Sequence, residues 1–289
     1  MPIRYFAIFL ILVFATSASA ADDFCFDCHG IQEGTSVPFK NDIHYKNTLS
    51  CADCHGGNAK VNDMDKSKLP EAGFRVRVKH QDVPLFCAGC HGNAKFMEKF
   101  NAKAIVNQYA LYSRSVHGQK LAAGNTDSAQ CIDCHGVHDT RAVADPESPA
   151  NPKNIVETCA KCHPETAKVF KGTPHDGKGS TTCLACHGSH GIQPASTALL
   201  TGPDSACGKC HKPATDPGKA AAEIADILKG LENGGPGSKD ALARARRAAH
   251  TVNVAAVKRA MEPPATKAAD DGLPPKTLTA SAVPQGGGR

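Results

Sequence analysis

Every cysteine in this 289-residue chain lies in a Cys-X-X-Cys-His motif. The seven copies are Cys25-Cys28-His29, Cys51-Cys54-His55, Cys87-Cys90-His91, Cys131-Cys134-His135, Cys159-Cys162-His163, Cys183-Cys186-His187 and Cys207-Cys210-His211. Two thiols three positions apart, followed at once by an imidazole, form the attachment signature of c-type haem. The thiols add across the two vinyl groups of one porphyrin, and the histidine binds the iron from one face. Cys-X-X-Cys also occurs as half of a zinc site, as a redox dithiol and within disulfide frameworks. None of these needs a histidine directly after the second cysteine, and here it follows seven times out of seven. Zinc would need a further ligand at every site, and disulfides leave the histidines without a role. The expectation is seven covalently attached haem c groups, with His29, His55, His91, His135, His163, His187 and His211 as proximal iron ligands.

The other face of each iron decides the chemistry. A second side-chain ligand makes the haem an electron carrier, whereas an open face lets small molecules bind and react. Seven histidines remain of the 14: His44, His80, His117, His138, His175, His190 and His250. Their number permits bis-histidine ligation throughout. His44 and His80 each precede a motif by seven residues, His175 precedes Cys183 by eight, and His117 precedes Cys131 by 14. His138 and His190 each follow a proximal histidine by three. That offset is too short to clamp one iron from both sides, so each is expected to reach a neighbouring haem. His250 stands alone in a C-terminal helical pattern, on a face with Val254, Val257 and Met261, and is read either as a helix-packing residue or as a ligand. Met64, Met97 and Met261 are alternative ligands that the histidine count makes unnecessary.

Little protein is available to position these groups. The motifs start 26, 36, 44, 28, 24 and 24 residues apart, so function repeats without a fixed structural period. Tryptophan is absent and aromatic residues make up 5% of the chain. With so few large side chains the porphyrins themselves must form the core. The expected fold is mainly α with extensive irregular coil, each motif occupying one helical turn. Asn101 can cap a helix carrying Ile105, Tyr109, Tyr112 and Val116, stopped by Gly118. Residues 74–78 alternate like a short strand. Beyond His211, Asp216-Pro217 opens a helix bearing Ile224, Ile227, Leu228 and Leu231. Ser238 can cap a second helix running to about Met261. The expected divisions are a leader at 1–20, a heptahaem domain at 21–212, a helical hairpin at 213–262 closing the haem array, and a disordered tail at 263–289.

Arg4, the apolar run Tyr5–Phe14 and the tripeptide Ala18-Ser19-Ala20 have the form of a secretory signal. The run is short for a bilayer span, which needs roughly 20 residues. The mature chain is expected in the periplasm or at the cell surface. Its formal charge of +5 falls to +4 without Arg4. Fourteen propionates on seven haems would then make the holoprotein acidic, so neither nucleic acid nor an anionic membrane is implied as a partner.

The segments Ser115-Val116-His117-Gly118, Cys131–His138 and Cys183–Ile192 resemble those of multihaem c-type cytochromes with paired CxxCH motifs, a likeness that covers residues 24–211. It implies closely packed haem pairs, little regular structure, and distal-ligand roles for His117, His138 and His190. It further implies single-electron transfer between redox partners in anaerobic respiration, such as other cytochromes, a quinol-oxidising membrane complex or a terminal reductase. Two other readings stand beside it: a reductase of a nitrogen or sulfur oxyanion with one open haem, and a subunit of a haem filament or membrane redox complex. The chain has no Cys-X-X-Cys-Lys variant, which marks the catalytic haem in related ammonia-forming nitrite reductases, and no convincing membrane anchor as in the quinol oxidisers. Both differences weigh toward an electron carrier. Intact-mass spectrometry of the purified protein should show residues 21–289 plus seven haems, and chain expressed without haem attachment should lack helical circular dichroism.

Overall fold

The structure is a computed structural model that describes residues 23–30, 36–177, 181–202, 204–234 and 238–263. The expected leader and nearly all of the expected tail lie outside those residues. The fold is mainly α: short helices are joined by long irregular connections, and no strand occurs among the described residues.

Four of the motifs are five-residue helices of their own: Cys25–His29, Cys51–His55, Cys131–His135 and Cys183–His187. Such short helices need local support, because one turn fixes many dihedrals for few hydrogen bonds. Capping boxes supply it at two of them. The Ser50 side chain accepts from the Ala52 backbone N–H while Asp53 accepts from the Ser50 N–H; Gln130 and Asp133 do the same at the fourth motif. The chain then turns sharply after the histidine. Gly56, Gly136 and Gly188 take φ of 68°, 78° and 78°, a region glycine enters without steric cost. The third motif ends the longer helix Val83–His91, and the fifth starts inside Ile155–Ala160.

Among the described residues of 23–211 the buried apolar side chains are Phe39, Val83, Pro84, Leu121, Ile155 and Ala167, too dispersed to form one centre. Phe26, Phe39 and Tyr45 make a small aromatic cluster, and the Phe39 ring meets His138 edge-on. The continuous apolar core lies at the C-terminal end. There Ile224, Leu228, Ala245 and Val257 are buried among Leu200, Leu231, Leu242, Val254 and Met261.

Three local expectations are corrected. The segment 74–78 is not a strand: the Phe74 N–H donates to the Leu69 carbonyl at 3.4 Å and the Arg75 N–H to the His55 carbonyl at 2.8 Å. Alternation alone cannot make a strand without a partner ladder. The helix expected from Asn101 begins at Gln108, because Asn101 turns on itself and accepts from the Lys103 N–H. Gly118 does not stop it. Ser115 ends that helix and caps a second one, Val116–Ala122, in which Gly118 is buried where a Cβ would strike the Tyr112 carbonyl.

The C-terminal segment is likewise three helices rather than a hairpin: Asp216–Glu232, Ser238–Ala248 and Val254–Met261. A 3₁₀ turn at Ala249–Thr251, closed by Val252 at φ 52°, breaks the second helix. That backbone region is strained for a β-branched residue. His250 sits in this turn and not on the Val254–Met261 face, and the helices bury their apolar stripes against one another. Replacing Ile224, 1% exposed, with Ala should cost about 2–5 kcal/mol. Urea unfolding followed by far-UV circular dichroism measures that loss.

Candidate metal centres

Six proximal histidines each face one of the spare histidines. The ring centroids are 5.9 Å apart for His44–His91, 5.9 Å for His55–His138 and 6.2 Å for His117–His163. They are 6.0 Å apart for His135–His190, 6.1 Å for His175–His211 and 6.1 Å for His187–His250. Two metal–imidazole bonds of about 2 Å, with each ring centre roughly 1 Å beyond its nitrogen, require a separation of about 6 Å. The pairs therefore fit a single iron between them. His29 and His80 are not among these six pairs; the His80 Nε2 lies 3.7 Å from the Asp133 carboxylate.

The pairing follows a rule with a period of two motifs. Histidines that precede the second, fourth and sixth motifs, namely His44, His117 and His175, face the proximal residues of the third, fifth and seventh. Histidines that follow the fourth, sixth and seventh motifs, namely His138, His190 and His250, face those of the second, fourth and sixth. Each pair thus joins chain segments from different motifs, so the metal centres and the tertiary structure specify one another.

The cysteines are arranged in the same order. The first cysteines of consecutive motifs meet side chain to side chain in Cys25–Cys51, Cys87–Cys131 and Cys159–Cys183. The second cysteines are electrostatic neighbours in Cys54–Cys90, Cys134–Cys162 and Cys186–Cys210. Alternating contacts of these two kinds link the seven motifs in single file. Asp23 bridges the first two, accepting from the Cys25 N–H at 3.0 Å and the Cys51 N–H at 3.1 Å. With Cys25 and Cys51 it also forms a compact group of possible ligand atoms. Both sulfurs belong to attachment motifs and would be thioethers in the mature protein, so this group is not a separate metal site. As thiols, burial pushes Cys25 up to about 11 and Cys51 up to about 12.

Hydrogen bonds orient several rings. A histidine that gives Nδ1–H to an acceptor presents Nε2 to its metal. The His55 Nδ1 donates to the Arg75 carbonyl at 3.0 Å. The His250 Nδ1 donates to the carbonyls of Arg246 and Arg247 at 3.1 and 3.2 Å. The His44 Nδ1 donates to the Asp42 carboxylate at 2.8 Å. Burial would raise the Asp42 carboxyl, but hydrogen bonds from His44 and Thr140 outweigh it and hold the group below its ordinary value. Burial, first of all, lowers His91, His117, His135, His138, His187 and His190. Neutral imidazoles keep the lone pair that a metal needs.

A partly open cavity lies beside the helix that ends in the third motif. Its volume is about 560 Å³, and it is lined by Pro84, Leu85, Tyr109, Tyr112, Gly118 and Leu121, among others. That is within the roughly 300–1,000 Å³ of ligand and cofactor sites. The Tyr112 hydroxyl donates to the Ala129 carbonyl at 2.9 Å, which keeps its polar end satisfied. The donor set and the imidazole spacing together fit covalently held haem.

Sequence reasoning missed Asp23, Asp42 and the Arg75 carbonyl. Asp42-Ile43-His44 carries the short-range pattern of an Asx turn, but nothing local shows that its carboxylate also reaches Thr140.

Comparison with known proteins gives a consistent result. Residues 43–164, which hold four of the seven motifs, match the family model described as cytochrome c3. The chain is 23% identical over 169 residues to the C-type polyheme cytochrome OmcC of Geobacter sulfurreducens, covering 50% of this chain and 20% of that protein. The chain thus spans about a fifth of the relative's length. No solved structure matches.

The ring planes supply a spectroscopic expectation. His44 and His91 are inclined at 76°, whereas His135–His190 and His187–His250 are inclined at 12° and 21°. Parallel imidazoles split the iron π orbitals, and perpendicular ones leave them nearly degenerate. EPR of the ferric protein should show ordinary rhombic low-spin signals together with a low-spin signal of unusually large maximum g from the third site. The His44→Ala variant should lose that large-g signal.

Proposed function

We propose that the chain is a multihaem c-type cytochrome, an electron-transfer protein with covalently bound haem, that conducts single electrons along one file of seven haems. The observation that carries this reading is the two-motif rule of facing histidines, joined to the single-file order of the cysteines. Bound haem supplies a ferric–ferrous couple at each site. The protein's part would be to hold such an iron between two imidazoles, as the six facing histidine pairs are placed to do in either oxidation state. The neighbouring cysteines of consecutive motifs would attach successive haems next to one another. The electron gained at one end of the file is the electron lost by an external donor, and the far end returns it to an acceptor; no bond is made and no proton is required.

Several features support an extracytoplasmic setting. Residues 1–20 have the form of an export signal, and haem attachment of this type occurs outside the cytoplasm. No helix of the described residues is long and apolar enough to cross a membrane. We place the protein in the periplasm or at the cell surface, between redox partners of an anaerobic respiratory chain. The His187–His250 pair also argues against the C-terminal end as a place for an open, catalytic haem.

Carbon monoxide binding to the dithionite-reduced protein tests the proposal. The sites of the six facing pairs should be inert to it, and His250→Ala should make the His187 site reactive. Carbon monoxide binding at several sites of the unaltered protein would overturn a pure electron conduit.

A further inference from the structure

Asp42 is 1% exposed, among the most buried polar residues described. Its Oδ1 accepts from both the backbone N–H and the ring Nδ1 of His44, each at 2.8 Å. Its Oδ2 accepts from the Thr140 N–H at 2.7 Å, and beside it the Ile43 N–H donates to the Thr140 carbonyl at 2.7 Å. Thr140 comes two residues after His138, which holds the left-handed φ of 63° and faces His55. One buried carboxylate therefore links the segments that bear His44 and His138, the histidines facing the third and second proximal residues.

We propose that Asp42 is the positioning residue that makes the third site, carried by Cys87, Cys90 and His91, a low-potential point within the file. This rests on the His44–His91 ligation proposed above. A carbonyl acceptor, as at His55 and His250, polarises an imidazole N–H only modestly. A buried carboxylate draws that proton more strongly, gives the ring more imidazolate character, and makes it a stronger donor to the metal. Stronger donation and a nearby negative charge both favour the ferric over the ferrous state and lower the potential. The Asp42 charge also lies near His138 and Cys54 of the second site, but that site's own ring hydrogen bond goes to a carbonyl, so only the third site receives both the charge and the direct carboxylate–imidazole bond. The potential should therefore fall between the second and third sites. An electron crossing the file would meet an uphill step there, and electrons stored at equilibrium would divide to either side of it.

The test is a potentiometric reduction followed by EPR, using as the reporter of the third site the large-g signal that His44→Ala abolishes, which separates it from the His175–His211 pair, whose rings are inclined at 55°. In the unaltered protein this signal should disappear after the rhombic signals of the sites with near-parallel imidazoles. In Asp42→Asn, with haem content confirmed by the pyridine haemochrome assay, it should disappear earlier in the reduction. The second-site signal should shift in the same direction by less, and the signals of the other sites should stay in place. An unchanged position in the variant, or early loss of the signal in the unaltered protein, overturns the proposal. The second of these needs no variant, so a poorly folding Asp42→Asn does not shield the idea. Absence of any large-g signal from the unaltered protein would refute the His44–His91 pairing itself, and the role of Asp42 with it. A signal that is present but wrongly ordered would refute Asp42 alone.

Discussion

The rest of the structure depends on opposed imidazoles about 6 Å apart. Such a pair is useful only if a metal holds it, and it brings together two stretches of backbone that otherwise share little. His190 comes from beyond the sixth motif to face His135 of the fourth, and His175 from before the sixth to face His211 of the seventh. Between residues 23 and 211 the few buried apolar side chains are scattered, so hydrophobic burial alone does not account for these long-range associations. Covalent and coordinate attachment take over the role that a side-chain core has in ordinary domains. Short helices and irregular coil are sufficient in such a molecule, because each turn needs to hold only one sulfur pair and one ring.

The polar residues support this arrangement. Asp53 and Asp133 serve the caps of their own motif helices, so the two variable positions within a motif are not interchangeable fillers. Asp23 spans the first two motifs by accepting one backbone N–H from each. Arg141 draws Asp139, Asp145 and Glu147 together in the loop after the fourth motif, with its carboxylate contacts at 2.6 to 3.5 Å. The loop that carries His138 and Thr140 is thus bound on one side by that network and on the other by Asp42. Apolar packing matters most at the C-terminal helices. Their mutual burial leaves the turn at Ala249–Thr251 projecting His250 toward His187, so a conventional small core presents a ring to the unconventional one.

Much of the site was legible from residue order. The motifs name their own chemistry, and the surplus of histidines over proximal ligands signals a second axial set. The capping boxes at Ser50 and Gln130 can be read locally, since both partners lie within one turn. Local patterns misled where long-range partners were decisive. Residues 74–78 alternate, yet their backbone is engaged by His55. His250 falls at helical spacing with Val254 and Val257, yet Val252 reverses the chain between them.

The sequence by itself named the candidate attachment points, the class of cofactor and the candidate ligands, because covalent haem attachment is a local reaction of five consecutive residues. Which histidine faces which was decided only in three dimensions. The members of each pair come from different motifs, and no spacing along the chain encodes an approach between segments that distant. The same holds for Asp42: it is an unremarkable acid in the sequence, and it acquires its place by reaching His44 two residues on and Thr140 some hundred residues away. A carboxylate's influence on a metal ligand depends on distance and burial, and both are properties of the folded chain.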